Sequence, residues 1–243
     1  MKFSFLIMTF IVLAETATVT SATSLEDYFN KANTFLKTNV KDGKVDYKDI
    51  VRHFSEIENL YNYQSTINLN GASDQEQKAF YINAYNLIVI YQIAKYYEFN
   101  KKSPMDQSGF FDKMKHTVAG SLMTLNQLEI KKLLLVYKDP RIHFVLACAA
   151  KSCPPLASYA FHPEKLEQQL ETRTKMALND TDWLRLNTDQ KKVFLSKIFD
   201  WYRKDFTQNG NTVVQYINQY RDSPIPPDFT VDFYKYDWSL NEG

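Results

Sequence analysis

The chain has 243 residues, with 29 basic and 28 acidic side chains, so that its formal net charge is +1. Because the chain has no excess of lysine and arginine and no basic block, we expect no nucleic-acid partner. Aromatic residues make up 15% of the chain, a content that in a protein of this length indicates a thick hydrophobic core.

The N-terminus has the layout of a secretory signal peptide. Lys2 precedes an apolar stretch from Phe3 to Leu13, and small polar residues follow. We therefore predict that residues 1–22 are removed by cleavage near Ala22–Thr23 and that the protein is secreted or periplasmic. The alternative is an N-terminal membrane anchor, but the apolar stretch of about eleven residues is shorter than the roughly twenty that span a bilayer. No later stretch is long and apolar enough, so we expect a soluble protein without a transmembrane segment.

Residues 23–72 are predicted to form an N-terminal helical segment ahead of a core domain at residues 73–243. Apolar residues recur at helical spacing from Leu25 to Leu36 and again from Ile50 to Tyr61. An Asp-Gly turn signal separates the two runs. The segment should therefore contain two amphipathic helices joined by a short turn.

The most apolar helix is predicted to open the core domain. Ser73 and Glu76 form a capping box, and residues 80–97 are apolar nearly all round, so this helix should be central. Asn83 and Asn86 lie inside it, one turn apart on the same face. Buried amides need hydrogen-bond partners. The pair therefore either fixes neighbouring loops through their backbone groups or lines a polar cleft.

Strand signals lie in the second half of the chain. Two short strands are predicted around Gly120, and the β-branched and aromatic residues of Ile142–Cys148 predict a buried strand. Residues 183–187 and 191–196 predict two more strands, and an extended segment follows from residue 230. Because helices dominate, the sequence predicts an α+β fold, a helix-rich single domain with the central apolar helix packed on a small antiparallel sheet.

Both cysteines of the chain lie in one short stretch, Asp139–Phe161, together with His143. A structural zinc site needs four Cys or His ligands, and no second cysteine pair accompanies Cys148 and Cys153. We therefore predict no metal site and no cofactor. In a secreted chain, two close cysteines favour a disulfide. Over a loop of about six residues it would contribute roughly 2 kcal/mol and act as a local brace.

The same stretch also allows cysteine catalysis, with Cys148 or Cys153 as the nucleophile and His143 as the base. In a regular strand, the odd separation of His143 and Cys148 places them on opposite faces, which weakens a direct dyad. A bulge after Leu146, or Cys153 folding back, would restore it. A third group must orient the base. The candidates for this role are Asn83, Asn86, Glu129 and Asp237.

Separated motifs occur in order along the chain: "FYINAYN", "VAGSLMTLNQLEI", "DPRIHFVLACAAKSCPPL", "LSKIFDWYRKDF" and "YKYDWSLN". Over roughly residues 78–240 the chain thereby resembles the family catalogued as domain of unknown function 547. The resemblance implies that His143, both cysteines and the two asparagines occupy family motif positions. It does not imply an activity, since the family name leaves that open. Ile130 departs from the family, where a histidine often follows the glutamate, so a base at that position would be missing here.

By fold analogy alone, a central helix against an antiparallel sheet with a strand-borne histidine is similar to the papain and transglutaminase group of thiol enzymes, and fold analogy does not give function. Two functions follow from the sequence. The first is a binding or interaction module with a Cys148–Cys153 disulfide, whose ligand is an unknown protein or small molecule that contacts Asn83, Asn86 or Glu129. The alternative is a cysteine-dependent hydrolase or acyl-transferase with His143 as its base.

Overall fold

A computed structural model of the chain describes residues 20–97 and 103–243. Most of the predicted signal peptide, residues 1–22, lies outside the described residues. Within the described ranges, no helix combines the length and the apolar content that crossing a bilayer requires.

The centre of the structure is helix α4, Asp74–Tyr96. Its predicted capping box is confirmed, because the Ser73 side chain accepts from the Glu76 backbone N–H and the Glu76 carboxylate accepts from the Ser73 backbone N–H. Buried residues run without interruption from Lys78 to Ala94. A helix that is buried on every face must be surrounded by other elements.

Helices of the N-terminal segment cover one side of α4. They are α1 (Thr20–Asn39), α2 (Tyr47–Arg52) and α3 (Phe54–Thr66), with the short strands β1 (Val40–Lys41) and β2 (Lys44–Val45) between the first two. The Tyr28 ring of α1 lies 5.0 Å from the Phe80 ring of α4. Segment and core thus share one hydrophobic core in a helix-rich α+β domain, and the division at residue 72 stays a prediction.

The other α-helices, the π-helical segment and the remaining strands lie between residues 115 and 233. Helices are α5 (Leu125–Gln127), a π-helical segment (Leu128–Leu134), α6 (Leu135–Tyr137), α7 (Leu166–Asn179), α8 (Ile198–Trp201), α9 (Arg203–Phe206) and α10 (Val213–Asn218). Strands are β3 (Lys115–Val118), β4 (Ser121–Thr124), β5 (Arg185–Asn187), β6 (Lys192–Leu195) and β7 (Thr230–Phe233).

The strands predicted around Gly120 are confirmed as the antiparallel pair β3–β4. Ala119 and Gly120 both have positive φ, 45° and 72°, the backbone that a tight two-residue hairpin requires. The three-stranded sheet has the order β5-β6-β7. Its β5–β6 pair is antiparallel, but β6 and β7 run parallel, so this sheet is mixed.

The predicted strand at Ile142–Cys148 is wrong. Pro140–Phe144 forms a 3₁₀ helix, which begins with Pro140 and is capped by the Asp139 side chain accepting from the Arg141 backbone N–H. The apolar residues that follow are not paired with a strand of the described chain. The Asn86 side chain instead bonds the Val145 carbonyl and the Ala147 N–H. Strand parity therefore does not apply, and His143 and Cys148 are not forced apart.

Candidate functional site

Four of the predicted site residues line one pocket of about 500 Å³. Its lining includes Glu129, His143, Cys148 and Cys153, which come from two separate parts of the chain. Six aromatic residues complete most of the wall: Tyr85, Phe111, Trp201, Tyr202, Tyr236 and Trp238. A concave, mainly aromatic pocket with a few converging polar groups has the properties of a small-molecule site.

The two cysteines form a disulfide in the wall of the pocket, with their Cα atoms 6.2 Å apart. This separation lies within the usual range for the bond. The Tyr236 hydroxyl lies 3.1 Å from the Cys148 Sγ and 3.2 Å from the Cys153 Sγ. The loop between the cysteines is held to the C-terminal segment, because the Lys151 N–H donates to the Ser239 carbonyl at 2.8 Å.

His143 is buried at the end of the 3₁₀ helix, and one of its ring nitrogens meets a carboxylate. Its Nε2 lies 2.8 Å from the Asp205 Oδ2 of α9. The imidazole is packed against aromatic rings, with centroids 4.3 Å from Tyr202 and 5.2 Å from Phe206. Asp205 was not among the predicted orienting groups, although it lies inside the quoted motif "LSKIFDWYRKDF". Only that motif membership pointed to it.

Glu129 enters the pocket from the π-helical segment, a form often found at functional sites. Its Oε1 accepts a hydrogen bond of 2.8 Å from the Tyr202 hydroxyl. Burial raises the pKa of the Glu129 carboxyl above its ordinary value, and hydrogen bonds from Tyr202 and Tyr85 together with the nearby His143 oppose that rise. The pocket therefore contains a carboxyl group that resists ionisation more than an exposed one.

Asn83 and Asn86 are buried, and neither is part of the pocket lining. Asn83 donates to the Phe161 carbonyl at 2.8 Å and accepts from the Phe161 N–H at 2.9 Å. Asn86 makes the same pair of bonds with the Val145 carbonyl at 2.8 Å and the Ala147 N–H at 2.9 Å. These bonds correspond to the predicted alternative in which the two amides fix neighbouring loops.

Two further residues considered from the sequence lie away from this pocket. Ile130, the departure from the family motif, is 44% exposed and is not among the lining residues. Asp237 accepts from the Ser239 hydroxyl at 2.6 Å, and it lines a different, smaller cavity. Neither side chain is thus placed to orient His143.

Aromatic rings at the pocket form a continuous wall. Trp201 and Trp238 are stacked, with centroids 5.9 Å apart and an interplanar angle of 23°. Tyr236 lies tilted beside both, at 5.0 Å from Trp201 and 4.7 Å from Trp238. Phe111 extends the wall at 6.4 Å from Trp238. These residues were not predicted as a site, because so high an aromatic content indicates a hydrophobic core.

Metal ligands are not gathered in this part of the molecule. Across residues 20–97 and 103–243, no group of three or more His, Cys, Asp and Glu side chains is placed to hold a metal ion. The chemistry on offer in the pocket is therefore that of aromatic faces, a buried carboxyl group, an imidazole paired with a carboxylate, and a disulfide.

Comparison with known proteins gives one family. Residues 69–176 match the model of a family described as "Protein of unknown function, DUF547". No curated protein and no solved structure matches the chain. The similarity to the papain and transglutaminase group stays a prediction.

Proposed function

We propose, for a chain that resembles the DUF547 family over residues 69–176, that it is a binding module for a small organic molecule. The observation that supports this function is the pocket of about 500 Å³, whose lining combines six aromatic rings with Glu129 and His143. Pockets of this volume and composition bury most of the surface of a small ligand. The aromatic wall supplies contact area, and the polar groups fix the orientation of the ligand.

The Cys148–Cys153 disulfide serves in this proposal as a brace for the pocket wall. Both sulfur atoms contact Tyr236, whose ring belongs to the aromatic wall. Opening the bond would let the loop and Tyr236 move together, and the shape of the wall would change. Such a brace persists in an oxidising compartment, so we propose with it that the protein is secreted or periplasmic.

Binding can be tested with a small-fragment set, using tryptophan fluorescence as the readout because Trp201 and Trp238 line the pocket. We expect one or more fragments to change the emission of the wild-type protein, and the change to be lost in Trp238→Ala. A matched control is Leu122→Ala on β4, where the side chain is 62% exposed and lies outside the pocket lining. Equal binding by Trp238→Ala and Leu122→Ala would contradict the proposed site.

The role of the disulfide is tested separately by adding a reductant to the wild-type protein. We expect fragment binding to weaken on reduction, whereas the double variant Cys148→Ser and Cys153→Ser should bind weakly with and without the reductant. Unchanged binding by the reduced wild-type protein would show that the bond is not needed to shape the wall.

A second candidate is the cysteine-dependent hydrolase or acyl-transferase. It is favoured by one observation, that His143, oriented by Asp205, and both cysteines meet in one pocket. The closed disulfide leaves neither sulfur as a nucleophile, so this activity would belong to the reduced protein. The test is thiol titration of unreduced protein from its native compartment, together with ester hydrolysis before and after reduction. Absence of a free thiol and of reductant-dependent turnover would remove this candidate.

A further inference from the structure

The charged groups that line the aromatic pocket have one sign. Asp112 and Glu129 are its carboxylic acids, and a third acid, Asp205, lies behind His143 at 2.8 Å. Among the described residues that line the pocket there is no lysine or arginine. Among the described residues that line the pocket, a ligand therefore meets acidic groups with His143 as the one basic side chain beside them, and that imidazole is already paired with Asp205.

Within the described residues, no lysine or arginine side chain lies over the face of a ring that lines the pocket. Elsewhere in the described chain, lysine and arginine side chains lie over the rings of Tyr81, Tyr91, Tyr137, Phe233 and Tyr234. None of these rings lines the pocket. Aromatic faces attract cations through their quadrupole, and tryptophan does so most strongly. The faces of Trp201, Tyr236 and Trp238 can therefore attract a ligand cation without competition from a described lysine or arginine side chain.

From these two observations we infer that the pocket binds an organic cation, a quaternary ammonium group that carries an apolar substituent. The inference rests on the proposed binding function and names the chemical class of the ligand. Aromatic walls and an acid are the features that recognise such cations, whose charge is spread over alkyl groups that do not donate hydrogen bonds.

The hydrogen bonds already present favour a quaternary ammonium over a primary amine. The Glu129 carboxyl accepts from Tyr202 and Tyr85, so those phenols and that carboxyl are largely satisfied by each other. The Tyr236 hydroxyl is occupied by the two sulfur atoms. A primary amine would leave some of its N–H donors unpaired beside these groups, which is costly when buried. A quaternary ammonium brings charge without that requirement.

Three probes of similar shape and different charge test the inference. They are phenyltrimethylammonium, its neutral isostere tert-butylbenzene, and the anion benzenesulfonate. Calorimetry on the full, disulfide-closed protein should show the cation binding at least about tenfold more tightly than either other probe. High salt should weaken binding of the cation more than that of the neutral probe.

Two variants test whether the cation binds in this pocket. Glu129→Gln retains the size of the side chain and removes the carboxylate, so at a pH above the raised pKa of Glu129 the affinity for phenyltrimethylammonium should fall by about tenfold while that for tert-butylbenzene is unchanged. Asp112→Asn, at an exposed position, gives a second reading if Glu129→Gln does not fold. The matched control is Glu171→Gln, an exposed acid on α7 outside the pocket lining, which should leave both affinities unchanged.

The possible failures separate the two proposals. If the neutral or the anionic probe binds as tightly as the cation, the cation inference is overturned and the binding function stands. If all three probes fail but fragments bind in a manner that depends on Trp238, the cation inference is again overturned alone. If neither probes nor fragments bind, both proposals are overturned.

Discussion

The Nε2 atom of His143 lies 2.8 Å from the Oδ2 atom of Asp205, a residue 62 positions away in the chain. His143 is almost fully buried, whereas the carboxylate of Asp205 reaches solvent at one edge. The contact joins the 3₁₀ helix at Pro140–Phe144 to α9, and it fixes the imidazole against the Tyr202 ring. Asp205 is thereby the group that holds the pocket histidine in place.

Replacing Asp205 with alanine should destabilise the protein by about 1–2 kcal/mol, because the buried His143 nitrogen loses its hydrogen-bond partner. The measurement is the free energy of unfolding from denaturant titration. Asp200→Ala is the matched control, since Asp200 is an exposed acid on α8 that pairs with Lys197, and such pairs contribute about 0–1 kcal/mol. A loss no larger for Asp205→Ala than for the control would contradict the assigned role.

Asn86→Ala should cost about 2–6 kcal/mol of unfolding free energy. The substitution leaves the buried Val145 carbonyl and Ala147 N–H without their partner, and each unsatisfied group costs about 1–3 kcal/mol. Asn59→Ala, at an exposed position of α3, should change stability by less than about 0.5 kcal/mol. Comparable denaturation midpoints for the two variants would show that the loop is held by other contacts.

Local signals in the sequence predicted much of the fold. The capping box of α4 and the hairpin at Gly120 depend on residues close in the chain, and both were predicted correctly. The prediction of a strand at Ile142–Cys148 was wrong because apolar residues of this kind occur both in strands and in buried irregular segments. The deciding partner, Asn86, is about sixty positions away and supplies by its side chain the bonds a neighbouring strand would supply.

The candidate site was predictable only in part, for the same reason. His143, Cys148 and Cys153 were identified from one short stretch, and Glu129 from a second motif, and the structure brings all of them to one pocket. Asp205 and the aromatic wall were missed because each comes from a distant segment whose composition indicates only a buried core. Their roles in binding or catalysis stay predictions.

Low pH should destabilise the protein through His116. Its Nε2 donates to the Gln92 Oε1 at 2.8 Å, and its Nδ1 accepts from the Tyr61 hydroxyl at 3.1 Å, so the neutral ring is fully satisfied. Burial, and secondarily the charge of Lys95, lowers the pKa of His116 from its ordinary 6.5 to about 4. Between those two values the unfolded chain binds a proton that the folded protein does not.

Stability should therefore fall as pH is lowered from about 6.5 to about 4, by at most about 3 kcal/mol from this residue. The measurement is the unfolding free energy across that window for wild-type protein and for His116→Gln, which should show a shallower slope. His53→Gln is the control, because His53 is exposed and should leave the slope unchanged. Parallel slopes for wild type and His116→Gln would refute the assignment.

Glu129 should produce the opposite dependence on pH. Because burial raises the pKa of its carboxyl, the folded protein holds a proton that the unfolded chain has released once pH passes the ordinary glutamate value. The stability contributed by this group is present at low pH and is lost as pH rises through the raised pKa. The groups that oppose this loss are Tyr202, His143 and Tyr85, whereas the negative charge of Asp205 adds to it.

Glu129→Gln removes this titration, so the variant should gain stability relative to wild type as pH rises from 4 towards 7. The unfolding free energies of both proteins, measured across this range, test the direction. Glu171→Gln, an exposed acid paired with Lys175, should show no comparable trend. If instead the wild-type protein gained stability relative to Glu129→Gln as pH rose, the hydrogen bonds from the phenols and the charge of His143 would lower the Glu129 pKa by more than burial raises it. If the expected trend holds, the acid has been kept in the pocket at a cost in stability, which is the pattern of a residue retained for binding.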